Sequence, residues 1–278
     1  NMPADSGKLL FSPPEKDLFL IKEPYLEKYF RRVYGSRELI NGLERWCLWL
    51  EGISLEDVRK NKTLNNIVEE LKNIRLNSSR PQLAEKPHLF AQITQDTSKD
   101  FIIIPSVSSE RRKYIPMSFL SKENISTNLC LIVSNAKPFL FSVLTSKMHM
   151  VWLQAVGGKL KTDYRYSKDV VYNTFPFPNI SNQRMEELTQ CTLKIIDERL
   201  KHSEKTLAQL YDPDKMPEGL KEAHHQNDLA VERCYRSTPF SSDEERLEYL
   251  FKLYEKMIQE EKDKDTLFAK QKKTRKRK

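Results

Sequence analysis

Residues 157–168 gather Lys159, Lys161, Arg165 and Lys168 around a single acid, Asp163, and interleave them with Tyr164 and Tyr166. Cations alternating with aromatic rings grip a phosphate backbone: Lys and Arg neutralise phosphates, while tyrosines stack or donate hydrogen bonds. Gly157-Gly158 opens the segment, and its lack of Cβ atoms lets the backbone approach another group closely. An ordinary charged surface turn uses similar residues; four cations and two tyrosines within a dozen positions favour phosphate contact. Lys159, Lys161, Arg165 and Lys168 are therefore assigned to phosphates. Tyr164 and Tyr166 either pack the loop or hydrogen-bond a nucleic-acid backbone, and Arg165 can instead enter a groove.

A second polar segment, SVSSERRK at 106–113, carries Glu110, Arg111 and Arg112. Arginine can bond guanine O6 and N7 with both arms, and glutamate can accept from cytosine N4, so these three residues are the candidates for reading base edges. A solvated hairpin in which Glu110 pairs with a neighbouring arginine uses the same residues. Sequence spacing leaves both readings open. His224-His225 with Asp228 hints at a metal, but adjacent helical histidines point about 100° apart and cannot share an ion, so solvated helix residues are expected.

The 278 residues carry a formal charge of +8, unevenly distributed. Residues 1–180 hold 26 Lys and Arg against 19 Asp and Glu; residues 181–269 hold 14 against 20; residues 270–278 hold 7 against none. A nucleic-acid surface therefore belongs to the N-terminal part, with the tail either binding DNA nonspecifically or disordered. Cys47, Cys130, Cys191 and Cys234 form no C-x-x-C pair, which argues against a zinc ribbon or disulfide framework and for a reducing cytosol. No apolar run approaches 20 residues and no signal pattern opens the chain, so a cytoplasmic protein without membrane contact is expected.

The elements that must position these residues are of two kinds. Up to residue 178 the pattern is mixed. An extended lead-in over 1–14 precedes a helix over Glu15–Phe30 that Pro24 breaks, with Leu18, Ile21, Tyr25, Leu26 and Tyr29 along one side. A strand over Arg45–Leu50, anchored by Trp46 and Trp49, is followed by a helix capped at Ser54 and an amphipathic one over Thr63–Ile74. Short strands then cover Phe101–Ile104, Tyr114–Met117 and Leu129–Val133. A helix over Lys137–Val156 runs into the glycine pair and a tyrosine-rich strand. Beyond Asn179 the pattern is helical, from Ser181 to about His202, from Glu218 to Arg233, and from Ser241 or Ser242 to about Lys262. The class expected is α+β: a mixed domain with a small antiparallel sheet and flanking helices over 1–178, an all-α domain over 179–269, and a basic tail over 270–278.

Successive strings in one order carry a more specific signal than any single motif. NMPADSGKLLF (1–11), ERWCLWL (44–50), SSERRKYIP (108–116), GGKLKTDYRYS (157–167) and NTFPFP (173–178) resemble landmarks of the target-recognition domain of MmeI-like type IIG/IIL restriction-modification proteins. The strings beginning ERLKHSEKTLAQLYDPDKMPEGLKEAHHQNDLAVERCYR (198–236) and FSSDEERLEYLFKLYEKM (240–257) resemble the helical C-terminal domain of the same family. The resemblance covers nearly the whole chain. It implies recognition of duplex DNA on behalf of an adenine-N6 methyltransferase that uses S-adenosylmethionine through an N-P-P-[FY] loop and a glycine-bearing loop, with a P-D…E-x-K nuclease that needs Mg in some members. None of those strings occurs here. The chain is thus expected to be a C-terminal piece that binds DNA, holds no cofactor or metal itself, and partners a methyltransferase domain of its parent chain. The resemblance also favours base readout for the 106–113 loop. An RNA-binding or scaffold protein with a basic face, or an enzyme with an unrecognised site, is the alternative.

Overall fold

The structure, a computed structural model, describes residues 1–3 and 6–275, with side chains through Asp263. In chain order the strands are β1 (Leu10–Phe11), β2 (Phe30–Tyr34), β3 (Trp46–Leu48), β4 (Phe101–Pro105), β5 (Val107–Ser108), β6 (Ser118–Leu120), β7 (Ile125–Ser126), β8 (Cys130–Ser134), β9 (Gly158–Leu160) and β10 (Asp163–Arg165). The α-helices are α1 (Pro13–Lys22), α2 (Ser36–Asn41), α3 (Leu55–Lys60), α4 (Lys62–Leu76), α5 (Pro138–Leu144), α6 (Lys147–Val156), α7 (Asn182–Leu200), α8 (Leu207–Leu210), α9 (Glu218–Tyr235) and α10 (Asp243–Arg275). The architecture is α+β, as the patterning predicts. Two compact units interleave along the chain: Asn1–Ser106, Pro116–Ala136 and Thr206–Ala208 in one, Val107–Ile115, Lys137–Lys205 and Gln209–Lys278 in the other. Packing and sequence order divide the chain differently, because 107–115 and 137–178 group with the helices that follow them.

In the first unit, strands β1–β3–β2–β7 form one sheet, antiparallel except where β2 runs parallel to β7. It buries Phe30, Val33, Cys47, Leu48 and Ile125 against the stripe Leu64, Val68 and Leu71 of α4. Asn61 Oδ1 caps α4 by accepting from Leu64 N at 2.6 Å, and Ser54 caps α3 by accepting from Asp57 N at 3.0 Å. A second sheet, β6–β4–β8, has the continuous apolar strand Phe101–Pro105 at its centre.

Several expectations require correction. Helix α1 starts at Pro13, inside the expected extended lead-in over 1–14, because proline suits the first helical positions, and Ser12 and Glu15 close a capping box over them. The chain leaves α1 before Pro24 and continues as a 3-10 helix over Pro24–Tyr29; of the predicted stripe only Leu26 is buried, whereas Leu18, Ile21 and Tyr25 are exposed. Trp49 is buried edge-on to Phe90, but Trp46 is only half-buried beneath Lys16, whose Nζ lies 3.7 Å from the ring centroid. Tyr114–Met117 is not a strand. Pro116 has no N–H to give a ladder, and pairing resumes at β6.

In the second unit, the helix expected over 137–156 is two helices. Ser146 ends the first turn of chain after α5 and caps α6 through His149 N. Helices α7 and α9 pack together, burying Leu188 and Ile195 on the first and Leu220 and Val231 on the second, and Trp152 of α6 is fully buried against Phe175, Phe251 and Tyr254. Helix α10 extends past the expected end near Lys262 through Arg275, so 270–275 is helical in backbone; residues 276–278 of the basic tail and all its side chains lie outside the described residues.

Candidate nucleic-acid interface

The two segments singled out by chemistry are neighbours in one sheet. Strand β10 pairs antiparallel with both β5 and β9, giving the order β5–β10–β9 within the second unit. The register sets Tyr164 opposite Ser108 on one side and Lys159 on the other, and sets Arg165 opposite Val107 and Gly158. Residues directly opposite share a face and neighbours along a strand alternate. Lys159 and Tyr164 therefore lie on one face of the β9–β10 ribbon, and Arg165 on the other. Lys161 sits at the two-residue tip with φ 57°, in the left-handed region, and is exposed along with Lys159, Arg165 and Lys168. Lys168 opens a π-helical turn over Lys168–Tyr172 that Ser167 caps.

Gly157 does not serve close approach to a ligand. A Cβ there would lie 2.4 Å from the Leu153 carbonyl oxygen, so the glycine is required by the end of α6 itself. Gly158 faces only Arg165 Cβ at 3.9 Å. Of the two tyrosines, Tyr164 is half-buried and its hydroxyl accepts from Gln154 Nε2 at 3.2 Å. Tyr166 is a core residue: it is 3 % exposed, its hydroxyl lies 2.8 Å from His149 Nε2, and burial raises its pKa. Of its two expected roles Tyr166 takes loop packing and does not meet a nucleic-acid backbone, because its one polar side-chain atom is already bonded inside the protein.

The 109–117 segment leaves β5 as an irregular loop. Glu110 is exposed and has no hydrogen bond or ion pair among the described residues, so the internal Glu–Arg pair of the solvated-hairpin reading is not formed. Arg111 is exposed and pairs with Asp214, whose N donates to Asp212 Oδ1 at 3.0 Å in a turn. Arg112 is half-buried, donates from Nη1 to Ser108 Oγ at 3.3 Å, and has its pKa lowered by burial against the raising influence of Asp163 and Asp212. The loop is thus held on two sides with Glu110 at its free edge.

Behind the loop lies a buried polar cluster, where solvated helix residues are expected from His224, His225 and Asp228. His224 is fully buried, and only His225 is exposed. Tyr114 stacks on His224 at 4.1 Å between ring centroids and donates its hydroxyl to Asp228 Oδ2 at 2.7 Å; Asp228 Oδ1 accepts Lys147 N at 2.7 Å. His224 Nε2 lies 2.8 Å from the Tyr211 hydroxyl, which accepts from Arg199 Nε at 2.8 Å. A signal existed: Leu220, His224, Asn227, Asp228 and Val231 fall on one helical stripe, so polar residues occupied core positions. Among the described residues no group of three or more His, Cys, Asp or Glu is placed to hold a metal ion, and no helix is long and apolar enough to cross a membrane.

Burial pushes the Asp228 carboxyl up to about 7, against the hydrogen bonds from Tyr114 and Lys147 that lower it. A raised carboxyl is protonated in the folded chain where the unfolded chain has already ionised, so stability is lost as pH rises from about 4 to about 7, by on the order of 1.4 kcal/mol per unit. His149, lowered by burial to about 3, and His224, also lowered by burial, act with the opposite sign, losing stability as pH falls below about 6.5. Tyr114, Lys147 and Glu232 face the Asp228 carboxyl, with Arg246 paired to Glu232, and all four remain in place when Asp228 is exchanged for its isosteric amide, so the comparison isolates the titrating carboxyl. Melting curves of wild type and Asp228→Asn at pH 5 and pH 8 should therefore show a smaller loss on going to pH 8 in the variant. Equal losses would contradict the buried-carboxyl assignment.

Two family models match this chain: MmeI, target recognition domain, over residues 1–179, and MmeI, C-terminal domain, over 179–260. DNA methyltransferase A of Bacillus subtilis (strain 168) is 44% identical over 262 residues, 93% of this chain. The structure of the type IIL restriction-modification enzyme MmeI in complex with DNA is similar with a TM-score of 0.89 and 37% identity, again over 93% of this chain. The chain spans about a third of the length of these relatives, 30% of the first and 35% of the second. With one model matching most of its length and the second matching the helices that follow, the chain belongs to the MmeI family and carries its target recognition domain followed by its C-terminal domain.

Proposed function

We propose that this chain reads duplex DNA for a larger site-specific adenine methyltransferase of the restriction-modification type. The observation that supports the reading is the β5–β10–β9 sheet, which pairs the strand leading into the Glu110–Arg112 loop with the cationic ribbon. Both named relatives support it, one called a DNA methyltransferase and the other solved with DNA. A two-stranded ribbon fits the major groove, whose walls are phosphate strands, and cations on both faces of the β9–β10 ribbon suit that position. Lys159, Lys161, Arg165 and Lys168 neutralise phosphates, with Tyr164 beside Lys159. Glu110, Arg111 and Arg112 meet base edges, Arg111 exchanging Asp214 for guanine.

Transfer of the methyl group from S-adenosylmethionine, extrusion of the target adenine, and any Mg-dependent cleavage fall to the methyltransferase and nuclease regions of the parent, in the cytoplasm. A competition assay tests the reading: duplex DNA should displace a labelled duplex from the 278-residue chain, whereas structured RNA of equal length should do so far less well. Equal competition by RNA would favour a general basic face instead.

A further inference from the structure

We propose that Asp228 is a positioning residue for base readout, holding the reading loop through Tyr114 and the start of α6 through Lys147 N with its two carboxyl oxygens. The inference rests on the proposed reading of bases by the 106–113 loop. Both grips are short, 2.7 Å each, and both are made by one side chain on α9 that is 8 % exposed. One grip lies two residues beyond Arg112. The other fixes the first residue of α6, and α6 runs to Val156, where Gly157 N donates to Leu153 O at 2.8 Å and the chain enters β9 directly.

A single carboxyl thereby ties the base-reading loop to the helix that delivers the phosphate-binding ribbon. The Tyr114 ring is held flat on His224 at an interplanar angle of 21°, and His224 Nε2 is bonded to the Tyr211 hydroxyl, which Arg199 holds in turn, so the ring that backs Tyr114 is itself anchored. Hydrogen bonds to bases weaken steeply with misalignment, so a loop free to shift by an ångström loses discrimination before it loses phosphate contact. A purely structural role for the cluster makes a different prediction, because it would lower stability without touching base preference at particular positions.

The test compares wild type with Tyr114→Phe, Asp228→Ala, Asp228→Asn and Thr192→Val. The last removes a buried hydroxyl bond to Pro138 O in the same unit, away from the loop. A random duplex pool first yields the preferred sequence of the wild type, and affinities for it and its single-base variants are then measured at several salt concentrations. Tyr114→Phe keeps the ring stack and loses the hydroxyl, and should cut discrimination about 3- to 10-fold at the positions that Glu110→Gln and Arg112→Ala identify, with an unchanged salt slope. Asp228→Ala removes both grips and should lose at least as much discrimination, whereas Asp228→Asn, which keeps an acceptor for Lys147 N and offers a donor to the Tyr114 hydroxyl, should restore it; discrimination kept in Asp228→Ala overturns the inference. Thr192→Val should lose comparable stability and no discrimination. Discrimination retained in Tyr114→Phe, or lost equally in Thr192→Val, overturns the inference while base reading stands. A wild type without any base preference overturns both.

Discussion

Replacing Lys159, Lys161 and Arg165 together by alanine is expected to weaken duplex binding by about 500-fold at 0.1 M salt and to reduce the slope of log affinity against log salt by close to 3. Each phosphate contact releases about 0.9 of a counterion, which at 0.1 M contributes on the order of a factor of 8 relative to 1 M. The three side chains are exposed, and none forms an ion pair among the described residues, so their removal leaves the fold intact. The loss should be the same on unrelated duplexes, since phosphates carry no sequence. Tyr166→Phe is the counterpart: it breaks the bond to His149, costs about 1 kcal/mol of stability, and leaves the slope alone. Salt titrations of the three proteins on two duplexes decide the matter. An unchanged slope in the triple variant would put the ribbon away from the phosphates.

The second large effect is on specificity. Exchanging Glu110, which is exposed and unpartnered among the described residues, should change the base accepted at one position, with a discrimination loss of about 1–3 kcal/mol when the contact is removed. Arg112→Ala should act similarly at another position but also lower stability, because Arg112 is half-buried and bonded to Ser108. Arg111→Ala gives up an exposed ion pair to Asp214 worth little in itself, so any loss of discrimination there reports on DNA. Overall affinity should change little in Glu110→Gln, since the phosphate contacts remain. Sequencing of methylated sites in cells that carry the variant in the parent protein reads the change; the same methylated sequence after exchange at all three positions would make the loop a charged surface hairpin.

Local signals in the chain marked most of the elements and both halves of the proposed interface. Ser54 and Ser181 cap helices because their hydroxyls meet unpaired amides, which short-range sequence shows directly, whereas the cap at Ser146 falls inside what reads as one continuous apolar helix over 137–156. Cation density marked the ribbon, whose exposed Lys159, Lys161 and Arg165 stand where a solvated role requires. What stayed hidden depends on long-range pairing. No local pattern says that β5 joins β10 across more than 50 residues, or that Tyr114 leaves its expected strand to bond Asp228 on α9. The burial of Tyr166 and His224 was hidden for one reason: each looks polar alone, and each places a polar atom against a partner on another element, the Tyr166 hydroxyl on His149 Nε2 and His224 Nε2 on the Tyr211 hydroxyl. Gly157 shows the converse, a residue whose close approach was anticipated but whose neighbour is its own helix.

The most direct test of sequence-specific reading is selection from a random duplex pool by the 278-residue chain, run at a salt concentration high enough to suppress phosphate-only binding, with the Glu110→Gln chain in parallel. One enriched sequence is expected for wild type and, for the variant, relaxation at a single position of that sequence. A pool that is retained by the wild-type chain yet stays flat at every position would contradict sequence-specific reading.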